Sequence, residues 1–106
     1  MTWYTVVKKG SMKDGDLFKA KVEGKEVLVM RIKDNFYATS CYCTHENYDL
    51  SEGFIDDGNL ICPNHFATFK PSTGEVVSPP EGADDIPPLS SYETRVQGDD
   101  IQVNLK

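Results

Sequence analysis

Two short motifs, each pairing one cysteine with one histidine, constrain this chain more than any other feature. The first places Cys43 two residues before His45, and the second places Cys62 three residues before His65. The chain has only two histidines, and both belong to these motifs. Because thiolates and imidazoles are the soft and borderline ligands that proteins offer to transition metals, the pattern indicates a fold that brings both segments to one metal centre.

Two kinds of metal centre are compatible with this ligand set. In a two-iron cluster, Cys43 and Cys62 would hold one iron while His45 and His65 hold the other, and the neutral imidazoles would raise its potential. A single tetrahedral zinc ion would also accept two cysteines and two histidines. Zinc fingers usually group cysteine with cysteine and histidine with histidine, whereas the two ligand types alternate here, which favours the iron cluster.

The length of 106 residues predicts one domain, residues 1–106, large enough to bury a core of its own. The longest purely apolar run, residues 27–30, is far too short to cross a bilayer, and no signal peptide opens the sequence. We therefore expect a soluble cytoplasmic protein without a membrane anchor.

The third cysteine, Cys41, is not needed for the ligand set. One spare thiol cannot build a disulfide framework, which fits a reducing compartment. Free cysteine is commonly buried, so we expect Cys41 to be a small core residue at the end of a strand.

Charge is distributed unevenly along the sequence. Residues 1–33 hold eight basic residues against four acidic ones, whereas residues 34–106 hold three basic residues against thirteen acidic ones. No cation interrupts the stretch between Lys33 and Lys70. This acidity argues against binding to nucleic acid or to anionic membranes, and it favours protein partners with a basic docking face. The simpler interpretation is a solvated acidic surface that maintains solubility.

Short strands separated by turn residues dominate the pattern, with almost no helical periodicity. Alternating or continuous apolar residues predict strands near residues 3–7, 18–22, 27–32, 36–39, 60–61, 67–69, 75–77, 92–97 and 101–105. Asp57-Gly58 predicts a tight hairpin turn. The proline pairs at 79–80 and 87–88 bracket a stretch that cannot be a central strand, so it is predicted to be a loop. The fold class is all-β, an antiparallel sandwich or barrel with a small inserted cluster-binding subdomain at about residues 40–80.

The two motifs, with Thr44 after the first cysteine and Pro63 after the second, resemble those of the Rieske [2Fe-2S] proteins. The stretches at residues 36–39 and 50–53 are similar to the small ferredoxins that serve ring-hydroxylating dioxygenases. The resemblance covers nearly the whole chain. It implies that Cys43, His45, Cys62 and His65 bind the cluster near the surface, and that electrons pass from a flavin reductase to a terminal oxygenase. It also implies that a proline loop covers the cluster, for which Pro79-Pro80 is the candidate.

Several positions depart from the respiratory branch of that family. Where that branch has an extra disulfide-bonded cysteine in each ligand loop, this sequence has Tyr48 and Asn64. Where it has a serine and a tyrosine that donate hydrogen bonds toward the cluster sulfurs, this sequence has Ala67 and Phe69. Fewer donors and more carboxylates both lower the potential, so we expect a low-potential protein.

The inventory of residues indicates electron transfer rather than catalysis. A second, mononuclear iron site of the two-histidine, one-carboxylate type would need histidines that are already assigned. The sequence also has no Gly-rich phosphate loop and no nucleophile with a plausible histidine base. The alternatives are the small Rieske subunit of a nitrite reductase-like enzyme and a zinc-stabilised interaction module.

Overall fold

The structure, a computed structural model, describes residues 2–44, 47–82 and 85–105. Ten β-strands form two antiparallel sheets, joined by turns and two single-turn 3₁₀ helices at Lys9–Ser11 and Leu50–Glu52. The strands are β1 (Trp3–Lys8), β2 (Leu17–Val22), β3 (Lys25–Ile32), β4 (Asn35–Ser40), β5 (Phe54–Asp56), β6 (Asn59–Ile61), β7 (Thr68–Phe69), β8 (Val76–Ser78), β9 (Ser91–Gln97) and β10 (Asp100–Asn104). The all-β prediction is confirmed.

The larger sheet has six strands in the order β1-β10-β9-β4-β3-β2. Its two edge strands, β1 and β2, approach each other, so the sheet curls into a nearly closed barrel. The barrel interior is filled by apolar side chains from β3, β4 and β10 together with Met12. The smaller sheet packs against the outside of this barrel.

Strand β3 is buried on both faces, which explains its continuous apolar run. Val27 and Val29 point into the barrel, whereas Leu28 and Met30 pack on the opposite side against the second sheet. All four side chains are fully buried. Because successive side chains of a strand point to opposite faces, this one strand contributes to two cores.

The smaller sheet has the order β5-β6-β7-β8 and is inserted in the chain between β4 and β9. The β5–β6 hairpin turns at Asp57-Gly58, with φ angles of 52° and 78°, as the sequence predicts. Positive φ at both central residues is typical of a hairpin turn whose twist matches that of the strands. The first cysteine–histidine motif follows β4, and the second lies between β6 and β7.

No helix in the described part of the chain has the length and apolar character needed to cross a membrane. The segment rich in prolines, described at residues 79–82 and 85–90, forms no strand, as predicted. It nevertheless contributes Ile86 and Leu89 to the core beneath the smaller sheet, a packing role that its polar and proline-rich sequence does not indicate.

Candidate metal centre

The second motif forms a tight loop between β6 and β7. The backbone N–H of Cys62 donates to the carbonyl of Ala67 at 2.9 Å, which closes the loop. Inside it, His65 and Phe66 have φ angles of 71° and 63°, a left-handed conformation that non-glycine residues rarely adopt. The side chains of His65 and Phe66 are exposed, whereas Cys62 is fully buried. The loop thus separates an inward thiol from an outward imidazole.

The first motif lies in a loop that is closed in a similar way. Tyr42 and Asp49 form an isolated β-bridge at its base, and the N–H of Cys43 donates to the carbonyl of Tyr48 at 2.8 Å. The N–H of Asn47 donates to the carbonyl of Cys43, also at 2.8 Å. Cys43 is buried at 2% exposure. His45 lies outside the described residues.

Cys43 and Cys62 contribute to the same hydrophobic core. Both belong to one packed cluster of buried side chains, which also includes Leu50, Leu60 and Phe69. Two cysteines separated by nineteen positions in sequence therefore face the same interior region from two different loops. This juxtaposition is what a shared metal centre requires of its thiolate ligands.

The proline-rich segment is hydrogen-bonded to both ligand loops. The N–H of Glu81 donates to the carbonyl of His65 at 2.8 Å, and the Thr44 hydroxyl donates to the carbonyl of Pro87 at 2.5 Å. Pro80 is fully buried. The predicted proline loop is therefore in contact with the second motif, and the Pro87 end of the same segment reaches the first motif.

A partly buried carboxylate stabilises the base of the first loop. Asp49 accepts hydrogen bonds from the Lys19 ammonium at 2.6 Å and from the Ser51 N–H and hydroxyl at 2.9 and 2.7 Å. Burial opposes ionisation of this carboxyl group, but the bonds from Lys19 and Ser51 prevail and lower its pKa to about 2. Asp49 is therefore a carboxylate at neutral pH.

The spare thiol, Cys41, is also part of this base. It is 1% exposed, directly after β4 as predicted, and its sulfur lies 3.6 Å from a carboxylate oxygen of Asp49. Burial, reinforced by the negative charge of Asp49, raises the pKa of Cys41 to about 12. Cys41 is thus a protonated hydrogen-bond donor and has no sign of thiolate character.

The described donors, Cys43, Cys62 and His65, offer the thiolate and imidazole ligands that a Rieske-type two-iron cluster would take. No three His, Cys, Asp or Glu side chains among residues 2–44, 47–82 and 85–105 converge on one point. A two-iron cluster needs only two protein ligands on each iron, so a pair of buried thiols and a separate exposed imidazole suit it. The chemistry of this donor set favours iron with sulfide.

The hydroxyl groups next to the site are engaged elsewhere. Thr44 donates to Pro87, Ser51 to Asp49, and Tyr42 to Glu26. Ala67 and Phe69, which carry no hydroxyl, are fully buried in the same core as the two thiols. These three hydroxyl groups therefore donate to oxygen atoms, while the side chains at 67 and 69 have no hydroxyl to donate.

Comparison with known proteins agrees with this geometry. A family model described as the Rieske [2Fe-2S] domain matches residues 2–97. The chain belongs to the Rieske [2Fe-2S] domain family, and its cofactor is a Rieske-type [2Fe-2S] cluster.

Individual relatives place the chain more narrowly. It is 33% identical to the biphenyl dioxygenase ferredoxin subunit of Pseudomonas sp. (strain KKS102), over 86% of this chain and 81% of that protein. It is 27% identical to the ferredoxin component of the naphthalene 1,2-dioxygenase system of Pseudomonas aeruginosa, over 97% of this chain and 95% of that one. The ferredoxin of carbazole 1,9a-dioxygenase from Nocardioides aromaticivorans IC177 has a TM-score of 0.88 and 29% identity, and each chain is covered completely. The chain is thus similar to ferredoxins of dioxygenase systems in both sequence and fold.

Sequence reasoning predicts the four ligands but does not predict the contacts that support their loops. Nothing in the sequence links Lys19 to Asp49, thirty positions away, or Thr44 to Pro87, forty-three positions away. Both pairs arise only when separate elements pack together. The one available signal was the concentration of prolines after residue 78, which predicts a loop; that this loop covers the cluster was implied only by the family resemblance.

Proposed function

We propose that this protein is a low-potential Rieske-type ferredoxin that carries single electrons from a reductase to a terminal oxygenase or oxidase. The observation that carries the proposal is the pair of buried thiols, Cys43 and Cys62, in one core beside a surface imidazole, His65. Relatives of similar length are named as ferredoxin components or subunits, which supports a carrier rather than a catalyst. The bound cluster supplies the chemistry, which is reversible uptake of one electron.

The four ligands belong to this proposal. Cys43 and Cys62 would hold one iron through their sulfurs, and His45 and His65 would hold the other iron through ring nitrogens. The bonds at Cys62–Ala67 and Cys43–Tyr48 fix both cysteines, and the proline-rich segment limits the movement of both loops. Rigid loops reduce the change in geometry that accompanies electron transfer.

The reduction potential should lie at the low end of the Rieske range, at roughly −150 mV. Hydrogen bonds to cluster sulfurs stabilise the reduced, more negative state, and Ala67 and Phe69 cannot provide them from their side chains. The excess of acidic residues beyond position 33 acts in the same direction. A low potential suits a protein that passes electrons onward to an oxygenase.

Partners would dock where the imidazole reaches the surface. Phe66 beside His65 is 53% exposed and Tyr48 in the first loop is 38% exposed, which provides apolar contact area. Glu81, exposed and bonded through its N–H to His65, adds negative charge at the rim. A partner with a basic rim would match this surface. In support, a ferredoxin 31% identical to this chain, with a TM-score of 0.83, has been solved in complex with the oxygenase of carbazole 1,9a-dioxygenase.

The protein would work as one domain in the cytoplasm. Residues 40–80 would form the cluster-binding part, which shares buried contacts with β3 of the barrel through Leu28 and Met30. One spare cysteine beside two proposed ligands gives no disulfide framework, which suits a reducing compartment.

Metal analysis and spectroscopy of protein purified without oxygen test the proposal. We expect two iron and two inorganic sulfide per chain, and an EPR spectrum of the dithionite-reduced protein with a lower average g than all-cysteine clusters give. Reduced protein should be reoxidised in a stopped-flow mixture with the oxygenase of carbazole 1,9a-dioxygenase. One zinc without sulfide would contradict the cluster, and failure to exchange electrons despite an intact cluster would contradict the carrier role.

A further inference from the structure

One charged contact joins the barrel to the first ligand loop. The ammonium of Lys19, in the edge strand β2, lies 2.6 Å from Asp49 at the base of that loop. Both side chains are about one-third exposed, with values of 33% and 29%. The other carboxylate oxygen of Asp49 accepts from Ser51 and lies 3.6 Å from the sulfur of Cys41. Asp49 is therefore held from the barrel, from the 3₁₀ helix and from the end of β4 at once.

The neighbours of Lys19 extend the same connection. Its nitrogen lies 3.9 Å from Glu26 on β3 and 5.8 Å from the ring centre of Tyr42. The hydroxyl of Tyr42 in turn donates to Glu26 at 2.5 Å. Tyr42 is the bridge partner of Asp49 and directly precedes Cys43. Asp49 and Tyr42, the two residues of the loop base, thus both contact Lys19, and Tyr42 also bonds to Glu26 beside that lysine.

We propose that Asp49, held by Lys19, is a positioning residue that fixes the first ligand loop so that Cys43 keeps its place when an electron arrives. The inference rests on the proposed function, because it takes Cys43 and His45 as cluster ligands. Asp49 does not touch the cofactor in this scheme. It acts by restraining the loop base, as partners outside the ligand set commonly do in metal sites.

Five single variants and one double variant test this role. Asp49→Asn and Lys19→Met each break the ion pair, and Lys8→Met and Asp100→Asn break a control pair of the same 2.6 Å length between β1 and β10, at the barrel end away from the ligand loops. Iron release from the oxidised holoprotein to a chelator, without oxygen, is measured for each. We expect release to be about 3- to 10-fold faster in both Asp49→Asn and Lys19→Met, and unchanged in the controls.

The double variant separates positioning from charge. If Asp49 and Lys19 acted only through their charges, the two single variants would shift the reduction potential in opposite directions, and Lys19→Met with Asp49→Asn would restore it. Positioning predicts instead that both single variants broaden the EPR lines of the reduced protein, and that the double variant is no better than either one. Lys19→Arg, which keeps the ion pair, should behave like the unmodified protein.

The outcomes distinguish this inference from the function on which it rests. Unmodified protein without iron and sulfide would overturn the proposed function. Unmodified protein with an intact cluster, and variants that release iron at the unmodified rate, would overturn only the positioning role. Lys19 is partly exposed on the barrel surface, so we expect Lys19→Met to fold, as checked by circular dichroism, even if Asp49→Asn does not; its iron release then tests the positioning role.

Discussion

Three cysteines with nearly the same burial have different surroundings, and we propose different roles for them. Cys41 is 1% exposed, Cys43 2% and Cys62 0%. Burial and the neighbouring carboxylate of Asp49 raise the pKa of Cys41, whereas the other two cysteines lie in loops with a histidine two or three residues farther along. Burial alone therefore does not identify a metal ligand; the groups that surround each cysteine distinguish the proposed ligands from the spare thiol.

Replacing each kind of cysteine should give opposite results. Cys41→Ala should keep two iron and two sulfide per chain and lower the free energy of unfolding by about 1 kcal/mol, as removal of one buried heavy atom does. Cys62→Ala should lose the cluster, because one iron then lacks a thiolate. Iron and sulfide analysis with urea unfolding measures both. Loss of iron from Cys41→Ala would assign that residue to the ligand set.

Phe69 lacks the hydroxyl group that the respiratory branch of the family has at this position, and a tyrosine should restore it. Phe69→Tyr places a phenolic O–H in the core that holds both thiols, and a new bond to a sulfur worth about 0.5–1.5 kcal/mol would raise the potential by roughly 20–60 mV. Redox titration followed by visible absorption measures the shift. Phe54→Tyr, at an exposed position on β5, is the matched control and should leave the potential unchanged. A fall in potential for Phe69→Tyr would contradict the account of why this protein is low in potential.

At the scale of the element, most strands can be predicted from the sequence, whereas the contacts that hold the ligand loops in place cannot. Strands such as β9 and β10 alternate apolar and polar residues, and the turn at Asp57-Gly58 needs residues that tolerate positive φ, so both leave local signals. The contact of Lys19 with Asp49 depends on where two elements meet in space. The same is true of Leu89, whose burial follows from packing rather than from its proline-rich surroundings.

One glycine joins the smaller sheet to the proline-rich segment. Gly74 has a φ of 80°, and its carbonyl accepts from the N–H of Leu89 at 2.8 Å. A Cβ at this position would collide with the carbonyl of Leu89. The close approach of two backbone segments therefore requires glycine here.

Alanine in place of Gly74 should weaken the packing of the proline-rich segment against the smaller sheet. Gly74→Ala should destabilise the protein by roughly 2–4 kcal/mol, since left-handed strain and a backbone clash add. Gly24→Ala, at a similar φ of 81° in the open β2–β3 turn, should cost only about 1 kcal/mol. Urea unfolding compares the two. Equal costs would show that the approach of Leu89 contributes nothing.

At the scale of the whole molecule, charge should steer encounters. Residues 34–106 carry thirteen acidic residues against three basic ones. Such a field attracts cations over distances comparable with the Debye length, about 10 Å at 0.1 M salt. The electron should therefore leave faster toward a positively charged acceptor than toward a negatively charged one.

Small cobalt complexes provide a direct measurement of this steering. The rate at which the reduced protein reduces a cationic cobalt(III) ammine should fall as salt rises, in a stopped-flow experiment. Glu81→Lys, beside His65, should slow this reaction several-fold at low salt. Asp99→Lys makes the same change of charge in the β9–β10 turn and should have a much smaller effect. Equal effects of the two variants would mean that electrons do not leave near His65.

Strand β3 belongs to two cores, and this sharing links the fate of the cofactor to that of the scaffold. Unfolding of the barrel would expose Leu28 and Met30 along with Val27 and Val29. The smaller sheet would then lose the side chains against which it packs. On heating, the colour of the holoprotein and its far-ultraviolet dichroism should then vanish together at one temperature.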